Sequence, residues 1–169
     1  MSEMMNTGVW WDMDTCPFPK GFDRYQVRQS IESALENHLP LTSSAIGDVP
    51  FTMSAIGDLS RIPEADLEAI LSTGFFTKHV TDGSSTSVLM RDMYAWAQNH
   101  PPPARVILIS DHEDDDFVES RFFESLIAAE YEIIRAYRKL PLVSPNYASS
   151  TLTWDDSLLS SVFSSLALK

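Results

Sequence analysis

The chain has 169 residues, the size of one domain, and is 44% apolar, enough for a sizeable core. Its net charge of −12 argues against gripping nucleic acid over the whole surface, because such binding is mostly phosphate neutralisation. A lone cysteine, Cys16, excludes an internal disulfide, and one Cys with four His cannot build a zinc cluster without carboxylates.

The opening "MSEMMNTG" lacks the basic-then-apolar layout of a secretory signal, and no long apolar run follows, so an intracellular protein without a membrane span is expected. Residues 1–7 read as a tail and residues 8–140 as the domain. Within it, "GVWWDMDTCPFP" begins as a buried strand over Gly8–Asp12, since Val9, Trp10 and Trp11 are good strand formers. The strand stops on Asp12, and Asp14, Thr15, Cys16 and two prolines follow. In "FDRYQVRQSIESALENHL" apolar residues recur at helical spacing, with Asp23 as N-cap. "PFTMSAIGD" predicts a second strand ending at Gly57. Its "SAIGD" also occurs at 44–48, which reads as a short loop duplication. "RIPEADLEAILSTG" is a short helix with Pro63 at its start and Gly74 at its end. "FFTKHV" is a third strand, and "SSTSVLMRDMYAWAQNH" an amphipathic helix closed by three prolines. "ARVILIS" is a near-continuous apolar strand, "FVESRFFESLIAAE" a helix and "YEIIRAYR" a fifth strand. Residues 141–169 read as a Ser-rich tail with a weak helix near Leu158–Leu168.

Strand and helix alternate throughout. That predicts an α/β fold, a doubly wound three-layer sandwich around a mostly parallel sheet of about five strands. Ligands of such sheets sit beyond the carboxyl ends of the strands, at the switch point. Acids collect there: Asp12 and Asp14 after the first strand, Asp58 after the second, and Asp111, Glu113, Asp114, Asp115 and Asp116 after the fourth, with Asp92 on a helix. Adjacent carboxylates repel unless they share a proton or a cation, and oxygen-only ligand sets suit Mg²⁺ or Mn²⁺. Plainer roles compete, Asp116 as a helix cap and Asp58 as a turn residue.

"VWWDMDTCPFPKGFD" resembles the opening of NYN domains, which have the PIN-like ribonuclease fold, in their plant limkain-b1 or meiosis-regulator branch. "SAIGDLSRIP", "LSTGFFTKHV", "RDMYAWAQNHPPPARVILIS" and "SPNYASSTLTWDDSLL" continue the resemblance to about residue 160. It implies a metal-dependent endonuclease acting on single-stranded RNA. Asp12 matches the first-strand acid, Asp92 a helix acid, and Asp114 and Asp116 the family's Asp-x-Asp-Phe ending. These four are the implied catalytic residues, and Asp12, Asp14, Asp111, Asp114 and Asp116 the implied ligands of Mg²⁺ or Mn²⁺. Lys20, Arg61, Lys78 and Arg91 are the cations nearest the expected cleft, candidates for gripping a phosphate.

The chain also departs from the family. Thr86 stands where members usually carry an Asp, six residues before Asp92, and Thr15 where an Asn is expected. The loop after Ile109 is about two residues longer, so Asp111 could replace Asp114. Two alternatives follow. One is a catalytically inactive pseudo-nuclease that binds RNA or a protein partner. The other is a haloacid-dehalogenase-like phosphatase, with Asp12 as nucleophile and Asp14 as acid/base.

Overall fold

The bulky residues Val9, Trp10 and Trp11 all lie in the interior of strand β1 (Asn6–Asp12) of the structure, a computed structural model. It describes residues 6–19, 21–38, 51–81, 85–111, 120–142, 145, 147–154 and 159. After β1 come helix α1 (Val27–His38), β2 (Phe51–Gly57), α2 (Glu64–Ser72) and β3 (Phe76–His79). Then follow α3 (Ser85–Asn99), β4 (Ala104–Ile109), α4 (Ser120–Ala128), β5 (Tyr131–Tyr137) and β6 (Ser150–Thr153). The punctuation residues act as their chemistry suggests. Asp23 accepts a hydrogen bond from the Tyr25 N–H at the start of the turn leading into α1. Gly74 takes a φ of +93° just past α2, a conformation open to glycine at no steric cost.

All pairings are parallel, in the order β3-β2-β1-β4-β5-β6. The chain builds outward from β1 to β3, then crosses back to continue from β4 on the other side. Right-handed crossovers in opposite directions put helices on opposite faces. One core accordingly gathers Val9, Trp11, Ile107 and Ile134 under α1 and α2, with Ile31 and Ile70. The other gathers Trp10, Val106, Leu108 and Ile133 under α3 and α4, with Leu89 and Phe123. This strand alternation is the period-two rule at work. Gly8 admits no larger residue, since a Cβ there would sit 2.3 Å from the Trp10 ring.

Among the described residues the sheet has six strands where about five were expected, and every pairing is parallel. The sixth comes from the segment expected to be a tail. β6 is only four residues, "STLT", with just Leu152 buried, so its pattern looks like a polar loop. It nevertheless pairs with β5 from Ile134–Ser150 to Tyr137–Thr153. Trp154 follows and is fully buried against Trp11, at 5.1 Å between ring centroids. Of the weak helix expected near 158–168 only Leu159 is described, buried in the core under α1 and α2, and the first "SAIGD" copy lies outside the described residues. Among the described residues no helix is long and apolar enough to cross a membrane.

Candidate active site at the carboxyl edge of the sheet

β1 and β4 are the central neighbours at which the order reverses, so the switch point lies between their carboxyl ends. Asp12 ends β1 two residues after Trp10 and thus faces the α3 side of the sheet. It is fully buried. A buried carboxylate is costly unless hydrogen-bonded, and this one is held from several directions. The Asp14 N–H donates to Oδ1 at 3.1 Å, while the hydroxyls of Thr15 and Ser110 each donate to Oδ2 at 2.9 Å. Ser110 stands one residue beyond the Trp11–Ile109 pair, so the β1–β4 register delivers it to Asp12.

Asp111 joins the same network. Its N–H donates to Thr15 Oγ1 at 2.9 Å, and its own Oδ1 accepts from the Lys139 N–H at 3.0 Å. Beneath Ser110, the fully buried Arg135 donates through Nη2 to the Ser110 carbonyl at 3.2 Å and through Nη1 to the Tyr147 hydroxyl at 2.5 Å. The structure therefore gathers Asp12, Thr15, Ser110 and Asp111. Thr15 and Ser110 were not among the expected site residues. Their only local signal is a hydroxyl directly after, or near, the end of a buried strand.

Other expected site residues go elsewhere. Asp14 turns toward the loop after β2, where its Oδ1 accepts from the Asp58 N–H at 2.9 Å. Gly57 makes room for it: a Cβ there would lie 2.8 Å from that oxygen. Asp58 caps the next turn. The Ser60 hydroxyl, ahead of the Ser60 N–H and the charges of Arg61 and His79, holds its carboxyl below the ordinary range. Arg61 is ion-paired to Asp58 at 3.3 Å and is largely exposed. Asp92 is engaged on both oxygens, by Trp10 Nε1 at 2.8 Å and by Lys78 Nζ at 3.1 Å. Arg91 is exposed on α3, and Thr86 is half-buried in that helix's first turn. Lys20, Asp114 and Asp116 lie outside the described residues. Among the described residues, no three His, Cys, Asp or Glu side chains converge as a metal cluster.

Cys16 follows the site but is not part of its chemistry. It is fully buried, and burial pushes its thiol from the ordinary 9.0 up to about 12. The thiolate is the reactive form, so Cys16 is expected to resist thiol reagents at neutral pH until the chain unfolds. The sign of the linkage is set by the raised value. The folded thiol keeps its proton while the unfolded one releases it above about pH 9. Its contribution to stability is complete below that value and is lost as pH rises toward 12. Labelling rates followed against denaturant, and melting from pH 8 to 11, check both statements.

The sequence model of the NYN domain family matches residues 6–137, from the start of β1 to the end of β5. The chain belongs to the NYN domain family. No curated protein matches it closely enough to count as a relative. As a class, NYN domains are PIN-like and nuclease-like, generally bind RNA, and PIN-like nucleases generally use divalent metals. The donors gathered in this NYN domain, two carboxylates and two hydroxyls, are hard oxygen groups of the kind Mg²⁺ accepts. Such an ion commonly takes only one or two carboxylates and completes its shell with water and phosphate oxygens. The site fits that demand in kind.

Proposed function

We propose that this NYN domain is an endonuclease that hydrolyses phosphodiester bonds of single-stranded RNA with Mg²⁺ or Mn²⁺. The observation that carries the reading is the buried Asp12 carboxylate, held by Asp14 N–H, Thr15 and Ser110 at the switch point. Asp12 and Asp111 are the residues that would hold the ion, with Asp114 and Asp116 as further candidates from the sequence. Bound there, the ion would polarise a phosphate oxygen and acidify a water. Thr15 and Ser110 orient the Asp12 oxygens, and Arg135 positions Ser110 from below. The limkain-b1-like branch, with its RNA-directed members, is the subgroup whose motifs the chain resembles.

A second reading is favoured by one observation. Thr86 occupies the first turn of α3 where a family Asp is expected, and a hydroxyl orients water but carries no charge. A domain that binds RNA or a protein without cutting would need nothing more. The phosphatase alternative is disfavoured by the family match, and Asp14 Oδ1 is directed to the Asp58 N–H.

The test is incubation of the whole chain with labelled single-stranded RNA and Mg²⁺ or Mn²⁺, beside an Asp12→Asn variant. Cleavage that disappears in the variant and in EDTA supports the nuclease. No cleavage by a folded wild type rejects it in favour of the binding module.

A further inference from the structure

The row of residues at the level of Asp12 continues across the sheet. Asp12 pairs with Ile56 on β2, and Ile56 pairs with Lys78 on β3. Two strand spacings separate Asp12 from Lys78, about 10 Å. One step lower, Trp10 pairs with Ser54 and Ser54 with Phe76. Between this part of the sheet and α3 lies a cavity of about 430 Å³, within the range of small-molecule sites. Ile56, Lys78, Ser54 and Phe76 line one side of it, and Asp92 and Trp96 the other.

Its chemistry is mixed in a particular way. Phe76, on the edge strand, is 68% exposed, an aromatic ring open to solvent. Opposite, Trp96 is stacked on His100 at 4.3 Å and 11° between planes. That pair is preorganised. His100 Nδ1 donates to the Trp96 carbonyl at 2.8 Å, and Tyr131 Oη lies 2.7 Å from the Ala97 carbonyl and 3.0 Å from that of His100. Because a carbonyl only accepts, His100 Nδ1 carries the hydrogen. Asn99, also at the cavity wall, gives its Nδ2 to the Ala95 carbonyl. The cation is Lys78, half-exposed at the cavity wall and shared with Asp92.

Flat aromatic surfaces, a few hydrogen-bonding groups and one cation are what an unpaired nucleotide uses: its base stacks and its phosphate takes the charge. A chain of net charge −12 needs such a local cation to keep an RNA strand. We propose that the β2–β3/α3 cavity is a base-binding subsite. It takes the nucleobase of one unpaired nucleotide on the exposed Phe76 ring, over a floor closed by the buried Trp96, with Lys78 on that nucleotide's phosphate. The choice of RNA as ligand rests on the proposed nuclease reading. The row from Asp12 to Lys78 would then seat a nucleotide neighbouring the cleaved bond, and the enzyme would prefer particular bases there.

The experiment is calorimetric titration of the whole chain in EDTA with adenosine 5′-monophosphate, uridine 5′-monophosphate, adenosine and inorganic phosphate. At least one monophosphate is expected to bind. Phe76→Ala, at an exposed position that folding does not need, should weaken binding about tenfold or more. Lys78→Gln should weaken the monophosphates and leave adenosine unchanged. Asp92→Asn, which frees Lys78, should strengthen the monophosphates. The proposal is overturned if nothing binds at millimolar concentration, if Phe76→Ala binds as well as wild type, or if inorganic phosphate binds as tightly as the nucleotides. Asp12→Asn separates the two readings. Nucleotide binding that survives in it, in a protein that never cuts RNA, keeps the subsite and rejects the nuclease. Wild-type cleavage that Phe76→Ala leaves untouched, without nucleotide binding, rejects the subsite alone.

Discussion

Trp154→Ala is expected to destabilise the domain by about 3–5 kcal/mol, the usual cost of removing a fully buried tryptophan. Trp154 lies beyond the family match, which ends at residue 137, yet it is as buried as any residue in β1. Its ring packs on Trp11, and its Nε1 donates to the Pro17 carbonyl at 2.8 Å. Trp11 Nε1 in turn donates to the Cys16 carbonyl at 2.7 Å. Two indoles thus hold the Cys-Pro segment that follows the Asp12 turn. Trp154→Phe keeps most of the apolar area and loses one hydrogen bond, so it should cost clearly less. Leu142→Ala, at a fully exposed position, should cost nothing measurable. Urea unfolding of the three variants settles the matter. If Trp154→Ala melts with wild type, the segment after β5 is not part of the folded unit. If it melts early, a fragment cut at residue 140 will fold poorly, although it contains the whole family match.

The contrast between β4 and β6 explains what could be read in advance. "ARVILIS" announces a strand buried on both faces because every residue of it is buried. "STLT" offers one apolar residue, and only its pairing with β5 makes it a strand. The helix ends at Asp23 and Gly74 were legible because capping and positive φ are local requirements. The site was legible only in part for the opposite reason. Asp12 could be found from its position after Trp10 and Trp11. That Ser110 reaches it depends on the register between β1 and β4, a pairing across 98 residues that no local period encodes. Asp14 was drawn toward Asp12 by its nearness in sequence. The turn instead gives its backbone N–H to Asp12 and sends its carboxylate to the Asp58 loop. Asp92 lies on the side of the sheet that Asp12 faces, but its two oxygens each already accept one hydrogen bond, from Trp10 and from Lys78.

Asp12→Asn should leave the fold intact and lower RNA cleavage by at least about 100-fold, the scale on which a single aligned polar group matters in a preorganised site. The structural half of the statement follows from the partners. The amide oxygen still accepts the Asp14 N–H, and the Thr15 and Ser110 hydroxyls can rotate to accept from the new NH₂ group. Asp12→Leu has no such escape. It puts an apolar side chain where the Asp14 N–H and the Thr15 and Ser110 hydroxyls now find an acceptor, and a lost partner costs about 1–3 kcal/mol where the group is buried, so that variant should lose stability as well as chemistry. The functional half follows from charge: the amide cannot neutralise a cation or replace a carboxylate beside a phosphate. Ser110→Ala keeps the carboxylate and removes one donor, so a smaller loss of about 10–100-fold is expected, as for groups that orient a ligand. Thr86→Asp provides the converse arm. It introduces the acid that the sequence resemblance leads one to expect in the first turn of α3, where the helix dipole favours a negative charge. If cleavage falls in Asp12→Asn and rises in Thr86→Asp, the site is a working nuclease slowed by one substitution. If neither variant moves a baseline indistinguishable from buffer, the network around Asp12 only closes the carboxyl edge of the sheet.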